Sequence, residues 1–256
     1  MGRENGSKLN QLLANWPAHA IFTCSWLFGE GFGYDLLAKY RNSGWLKPIG
    51  HGAVARAGDH VDWTGGLYAL QIQLKLPIYV GGKSALLLKG LAHFIPHGKG
   101  WELTLYAPPK TKLPTWFRNY DWEPKVRLVT SHLFAIELNT GFSTQEQGAF
   151  SFQISAPERA ILEFLLLVPQ EESFEEAKLL MEGLTTLRPK LVQELLEACR
   201  SVKVKRLFLF LAEECNHSWM KKIDAAKLKL GRGKRVIQKD GIFNMKYGIT
   251  VPKVIT

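Results

Sequence analysis

The chain has 256 residues, 46% of them hydrophobic and 22% charged, the balance of a folded globular protein with room for two domains. Thirty-three Lys and Arg against 23 Asp and Glu give a net charge of +10, which favours an anionic partner without choosing among nucleic acid, membrane surface and acidic protein. The longest apolar run, residues 160–168, is interrupted by Glu163 and too short to cross a bilayer, and the polar first ten residues lack the apolar core of a secretory signal.

Residues Lys8 to Trp16 read as an amphipathic helix ended by Pro17. Ser25 is placed to cap a short helix carrying Trp26, Leu27 and Phe28, and Gly31 and Gly33 suit a tight turn into a second one. That second helix, about Tyr34 to Ser43, sets Leu36, Leu37 and Tyr40 on one face and Asp35, Ala38, Lys39 and Asn42 on the other, with Gly44 as its stop. Trp45 to Ile49, the turn Gly50-His51-Gly52 and Ala53 to Arg56 then form a hairpin. Two glycine-hinged helices followed by a hairpin is the order of a winged helix-turn-helix. In such a module Tyr34, Lys39 and Asn42 face base edges, with Arg41 beside them, and Lys47, His51 and Arg56 on the wing meet phosphates. The competing reading is a small helical domain used only for protein contact.

Asp59 to Asp62 is a polar break, dividing the chain into a winged domain over 1–62 and a second domain over 63–256. In the second, helices are expected over Thr64 to Leu74 and Gly82 to Phe94, and strands over Trp101 to Tyr106, Lys125 to Phe134 and Phe150 to Ile154, with Leu133 to Glu137 extending or following the second strand. Ser155-Ala156-Pro157-Glu158 has the form of a capping box with proline just inside the helix, and Ser173-Phe174-Glu175-Glu176 repeats that logic. Further helices follow from Pro189 and over Val204 to Ala212. Gly233 to Gln238 and Lys246 to Val251, joined across Asp240-Gly241, read as a closing hairpin.

Charge is spread unevenly. Residues 1–62 hold six Lys and Arg against five acids, whereas residues 201–256 hold thirteen against four. Lys229, Arg232, Lys234 and Arg235 in that basic tail are therefore a candidate second nucleic-acid surface, against the plainer reading of a solvated positive face.

Enzyme chemistry finds little to work with. Gly81-Gly82-Lys83-Ser84 after an apolar Ile78-Tyr79-Val80 invites a phosphate loop using Lys83, but Pro77 stands where the first glycine of that motif belongs, and a glycine turn before a buried helix explains the same residues. His93 and His97 have metal-ligand spacing with Pro96 between them, and Cys215 with His217 is too sparse for zinc. Cys24, Cys199 and Cys215 have unrelated spacings, arguing against a disulfide framework and for a reducing cytoplasm. No catalytic residue, metal site or cofactor is expected.

With these segments in order, the chain resembles the AbiEi family of antitoxins and transcriptional regulators. The resemblance is carried by Ser43-Gly44-Trp45-Leu46 through Gly50-His51-Gly52 to Arg56, Gly81 to Leu86 with Gly90-Leu91-Ala92-His93, and the Pro157 helix. Val202 to Leu209, Gly233-Lys234-Arg235 and Tyr247 to Pro252 complete it. It implies an α+β protein, with an N-terminal winged helix-turn-helix followed by a mixed α/β antitoxin domain that has a helical C-terminal part and a closing β-hairpin. It further implies a cytoplasmic, non-enzymatic autorepressor that binds double-stranded operator DNA as a monomer or cooperatively and does not touch membranes. The toxin it counters, in phage abortive infection, would be a nucleotidyltransferase-like protein encoded beside it, with or without a direct complex. Family members often place a serine before the recognition helix; Gly33 stands there in this chain, which keeps an acceptable cap but removes a hydroxyl contact to phosphate. The alternative is a nucleotide- or RNA-binding protein using Lys83 and the basic C-terminal surface.

Overall fold

The computed structural model describes residues 2–92 and 101–253, with side chains from residue 8 onward. Helix α1 (Gly2–Ala14) ends before Pro17, and Trp16 folds back so that its indole N–H donates to the Ala20 carbonyl at 2.9 Å. Strand β1 (Ile21–Thr23) follows. All three of its residues are buried, so no polar–apolar alternation marks them as a strand in the sequence. Helix α2 (Cys24–Gly29) is capped by Thr23, not Ser25: the Thr23 hydroxyl oxygen accepts from the Trp26 amide at 3.4 Å, and Ser25 sits inside the first turn. Helix α3 (Tyr34–Asn42), strand β2 (Leu46–Pro48) and strand β3 (Ala53–Arg56) complete the module. Strand β3 pairs antiparallel with both β1 and β2, so the expected hairpin becomes a three-stranded sheet in the order β1-β3-β2. Trp16, Phe22 and Trp26 stack in series, with centroids 4.1 and 4.8 Å apart, over a core that includes Leu27, Leu37, Ile49 and Val54.

Helix α4 (Trp63–Tyr68) starts on Asp62, whose carboxylate accepts from the amides of Thr64 at 2.8 Å and Gly65 at 3.4 Å. A Cβ on Gly65 would lie 2.2 Å from the His19 carbonyl oxygen, so glycine is what lets α4 lie against the winged module. The helix runs on into a π-helical turn over Ala69–Gln73. There the Gln73 side chain accepts from the Thr23 amide and donates to the Ile21 carbonyl, both at 2.8 Å. Gln71 acts in the same way on a segment far along the chain, accepting from the Gln153 amide at 2.8 Å and donating to the carbonyls of Gln153 at 3.0 Å and Ile78 at 2.8 Å.

Beyond the π turn the chain is built on a five-stranded mixed sheet. Its elements are β4 (Tyr79–Val80), α5 (Gly82–Leu88), β5 (Glu102–Ala107), α6 (Thr115–Asn119), β6 (Lys125–Thr130), β7 (Phe142–Gln147), β8 (Phe150–Ser155) and α7 (Pro157–Leu167). The strand order is β6-β5-β4-β8-β7; β4 runs parallel to β8 and β5 to β6, and the other pairs are antiparallel. Several expectations shift. Helix α5 stops at Leu88, with Gly90 in the left-handed region just beyond, and Phe94 lies outside the described residues. Strand β6 ends at Thr130, and residues 133–137 form turns. Strand β7, whose outer residues are polar and whose buried face is short, had no counterpart in the sequence pattern.

The C-terminal helices are α8 (Phe174–Gly183), α9 (Pro189–Ala198) and α10 (Val202–Glu214). Ser173 caps α8 as expected, accepting from the Glu176 amide at 3.0 Å. The capping box at α7 does not form: Ala156 is the cap residue, and the Ser155 hydroxyl donates to Glu163 at 2.8 Å. Glu158 instead receives Arg188, which donates from its backbone amide, Nε and Nη2, each at 2.9 Å. The closing strands are β9 (Arg235–Val236), β10 (Ile242–Asn244) and β11 (Ile249–Val251). The hairpin is β10–β11, with Met245 to Gly248 as its turn; β9 runs parallel to β11 on its other side, so the two segments joined across Asp240-Gly241 are not antiparallel partners. Among the described residues no helix is long and apolar enough to cross a membrane.

The Arg188 contacts hold the Glu158 carboxyl below its ordinary range, although burial alone would raise it. A depressed carboxyl contributes stability above its unfolded pKa, and that contribution disappears as pH falls through the folded value. Glu158→Gln is therefore expected to cost about 1 kcal/mol at pH 7, allowing for solvent screening of the exposed Arg188. The deficit should close on titration toward pH 3, as measured by urea unfolding at each pH; a deficit independent of pH would contradict the ion-pair account.

Candidate nucleic-acid interface

Helix α3 presents its faces as its spacing requires. Leu37 and Tyr40 are buried, Leu36 is half-buried, and Asp35, Lys39, Arg41 and Asn42 are exposed. Lys39 and Asn42 make no hydrogen bond or ion pair among the described residues, so their polar ends are available to a ligand. Tyr34, at the helix start, is 74% exposed while its ring leans on Phe28 with centroids 4.5 Å apart. That contact fixes the ring at the protein surface instead of leaving it to swing.

The wing is less free than the sequence suggested. Lys47 is half-buried and donates to the Asp59 carbonyl, and Arg56 Nε lies 3.3 Å from the Asp59 carboxylate with its Nη1 toward the Leu13 carbonyl at 3.5 Å. Both cations expected on phosphate are engaged inside the module. One flank of the turn is also covered, since a Cβ on Gly50 would lie 3.2 Å from Trp116 Cα in helix α6. His51, at the tip, remains exposed. Asp59 thus gathers much of the wing's charge, and it also accepts from the His19 amide at 3.0 Å.

The basic C-terminal lobe is held by a residue the sequence reading passed over. Arg206 of α10 is buried and donates to four backbone carbonyls, those of Leu230 at 2.9 Å, Gly231 at 3.0 Å, Gly233 at 2.6 Å and Gly248 at 2.9 Å. The loop carrying Lys229, Arg232 and Lys234 is thereby pinned by its backbone, and those three side chains are exposed. Arg235 is half-buried and turns back to the carbonyls of Arg232 and Lys234, so of the four tail candidates it is the one used internally. The only hint of Arg206 in the sequence was its position directly before the apolar run 207–212, where a buried guanidinium must find acceptors.

The nucleotide-binding alternative meets two obstacles in the geometry. The Gly82 amide, which would cradle a phosphate, already donates to Glu163 at 3.1 Å, and a Cβ on Gly81 would lie 2.4 Å from that same carboxylate. Lys83 is ion-paired with Glu176. The turn that looked like a phosphate loop is filled by the protein's own anion. The remaining polar groups around Glu163 also bond to one another: Tyr79 donates to it at 3.0 Å and Arg159 at 2.9 Å. Burial, with the nearby Glu163 charge, pushes the Tyr79 hydroxyl far above its usual range, so it stays a donor. His217 bonds to the Met181 carbonyl at 2.7 Å as part of the packing, and His93 and His97 lie outside the described residues.

Comparison with known proteins gives consistent matches. The family model for the AbiEi antitoxin, a transcriptional regulator of type IV toxin–antitoxin systems, matches residues 101–252, and the model for the N-terminal domain of the same antitoxins matches residues 5–97. Among solved structures, the RV2827C protein from Mycobacterium tuberculosis superposes with a TM-score of 0.56 at 15% identity, covering 94% of this chain and 88% of that one. At that identity the likeness is one of fold. No curated protein matches.

Asp59→Asn keeps an acceptor for the His19 amide while removing the charge that holds Arg56. It is expected to raise affinity for duplex DNA of any sequence about threefold and to steepen the salt dependence by about one phosphate contact. Fluorescence anisotropy across a salt series measures both; unchanged affinity and slope would show that Arg56 does not reach phosphate.

Proposed function

This chain belongs to the AbiEi family of transcriptional regulators and antitoxins of type IV toxin–antitoxin systems, and we propose that it is a cytoplasmic autorepressor that reads its operator DNA through helix α3. Its antitoxin activity, on this proposal, counters a nucleotidyltransferase-like toxin encoded beside it, in the setting of phage abortive infection.

The observation that carries the reading is the outward face of α3. Lys39 and Asn42 are exposed, without polar partners among the described residues, on a helix whose other face is locked by Leu37 and Tyr40. Asn offers the paired donor and acceptor that match adenine in the major groove, and Lys offers a donor to guanine or to phosphate. Tyr34 supplies a fixed aromatic edge at the start of the helix, Arg41 lies near its end, and His51 extends from the wing tip. Lys47 and Arg56 then have a different role from the one their positions suggested: they brace the wing against Asp59 and join phosphate only if that brace is released. Gly33 before the helix leaves its first amides without a side-chain cap, so a phosphate could take that place. Catalysis forms no part of the proposal.

The double variant Lys39→Ala, Asn42→Ala removes both candidate base contacts from an exposed face, so its thermal midpoint should match the parent within a few degrees. Its preference for the upstream operator over a scrambled duplex is expected to fall by about tenfold to a hundredfold in mobility-shift titrations. Sequence preference retained by the variant would remove α3 as the reader. Growth rescue by the same variant, co-expressed with the neighbouring toxin from a foreign promoter, should be intact, because rescue is assigned to the second domain.

A further inference from the structure

The C-terminal sheet has an outer face that the proposed repressor role does not use. Ile249 and Val251 of β11 are buried toward the helices, so the intervening Thr250 points outward. The register sets Thr250 opposite Phe243 on β10 and opposite Val236 on β9, which makes Val236, Thr250 and Phe243 one row across all three strands. Val236 is exposed, Phe243 is 38% exposed, and Met245 at the hairpin turn is 87% exposed. Val236 and Phe243 flank Thr250, and with Met245 at the turn they make this face part apolar, a composition that suits contact with a partner.

The charge around this row says what kind of partner fits. Lys234 Nζ lies 4.7 Å from the centre of the Phe243 ring, and Lys229 and Arg232 stand on the loop that Arg206 pins. Arg232, Lys234 and Phe243, together with the turn at Met245, border an open concavity of about 370 Å3, and Lys229 is exposed just before that loop's first lining residue, Leu230. Lys221, Lys222 and Lys239 add exposed charge from the same part of the chain, while two of its four acids, Asp224 and Glu213, are paired with Lys227 and Lys246. A second copy of this chain would bring like charge against like. A DNA duplex satisfies the cations but offers no flat apolar surface, because its bases are stacked inside. A single strand offers both, with phosphates for the loop cations and unstacked base faces for Phe243 and Met245. Single strands with unpaired bases in a cell are mainly RNA.

We infer that the outer face of the β9-β11-β10 sheet binds single-stranded RNA, with Phe243 as the stacking platform and Lys229, Arg232 and Lys234 as the phosphate grip. This goes beyond the operator-reading role and uses none of its residues. Arg206 is a positioning residue: it sets the loop on which the grip is mounted.

The test uses the full-length chain and three fluorescent probes of equal length: a twelve-nucleotide oligouridylate, the matching oligothymidylate and a duplex DNA lacking the operator. The RNA is expected to bind most tightly. Phe243→Ala should weaken RNA binding about tenfold and leave duplex binding unchanged, whereas Lys229→Ala with Arg232→Ala should flatten the salt dependence for RNA. Phe243→Leu, which keeps apolar bulk but loses the ring, guards against a folding defect and should fall between the two. Duplex binding equal to or tighter than RNA binding would overturn the inference, as would equal binding of the oligothymidylate or an RNA affinity indifferent to Phe243. The α3 double variant should bind RNA like the parent, so failure of operator reading and failure of this site are told apart.

Discussion

Two of the three sheets, that of the winged module and the five-stranded one, are tied through the side chains of two glutamines on one π-helical turn. Residues two apart on a helix point to opposite sides of it, and Gln71 and Gln73 use that geometry to engage β8 on one side and β1 on the other. Each amide mimics a peptide unit, accepting from a backbone N–H and donating to a backbone carbonyl of the same strand region. The edge strand β1, and β8 at Gln153 just beyond its pairing with the short β4, thereby gain hydrogen bonds that would otherwise be left to water. The wider π turn, a form often found at functional positions, falls where the winged module meets the five-stranded sheet. The Gly65 approach to His19 and the Trp116 seat beside Gly50 add two further close contacts on the winged module.

Around the five-stranded sheet the comparable constraint is a single carboxylate. Glu163 is 1% exposed at its side chain and is surrounded by donors: Tyr79, the Gly82 amide, Ser155 and Arg159. Burying that charge is tolerable because it is fully hydrogen-bonded and lies against a guanidinium, itself enclosed by Phe134 and Phe142 at 4.5 and 4.2 Å. Burial pulls the Arg159 pKa down, but Glu163 and Tyr79 more than offset it, so the guanidinium stays charged. The carboxylate lies at the start of α5, where a bound phosphate would otherwise be welcome. The residues that resembled a nucleotide site are therefore read as a structural joint between the β4–α5 turn and α7.

Local rules were enough to locate the helices of the winged module and the C-terminal helices, because amphipathic spacing and glycine stops act within a few residues. Leu37 and Tyr40 on the inner face of α3, Gly44 after it and Ser173 ahead of α8 are of this kind. What the sequence concealed was decided by partners far along the chain. Ser155 and Glu158 have the spacing of a helix start, yet the first is drawn to Glu163 and the second to Arg188, thirty residues away. Strand β1 is three buried residues with no alternation, and β7 is polar at every residue after Phe142, so neither carries a periodic signal. Arg206 and the parallel pairing of β9 were hidden for the same reason: their acceptors and partners lie beyond the reach of any local pattern. On the candidate interface, exposure of Lys39 and Asn42 followed from helix geometry. The engagement of Lys47 and Arg56 by Asp59 did not.

That last difference changes how the charge should be weighed. The first 62 residues have six cations and five acids, and two of those cations are already turned toward Asp59. An α3 reader of this kind has little long-range attraction of its own, and phosphate neutralisation is what usually supplies most of the affinity for a duplex. The attraction in this chain is concentrated in residues 201–256, on a loop fixed in place by Arg206. On the proposed function, discrimination among sequences and attraction to polyanions are thus separated in the chain. The two are joined mechanically through the glutamine junction, not electrostatically within one surface. A nearly neutral reader has a consequence of its own: it does not hold to arbitrary duplex by charge, so the ratio between chosen and unchosen sites depends chiefly on the few uncommitted side chains of α3.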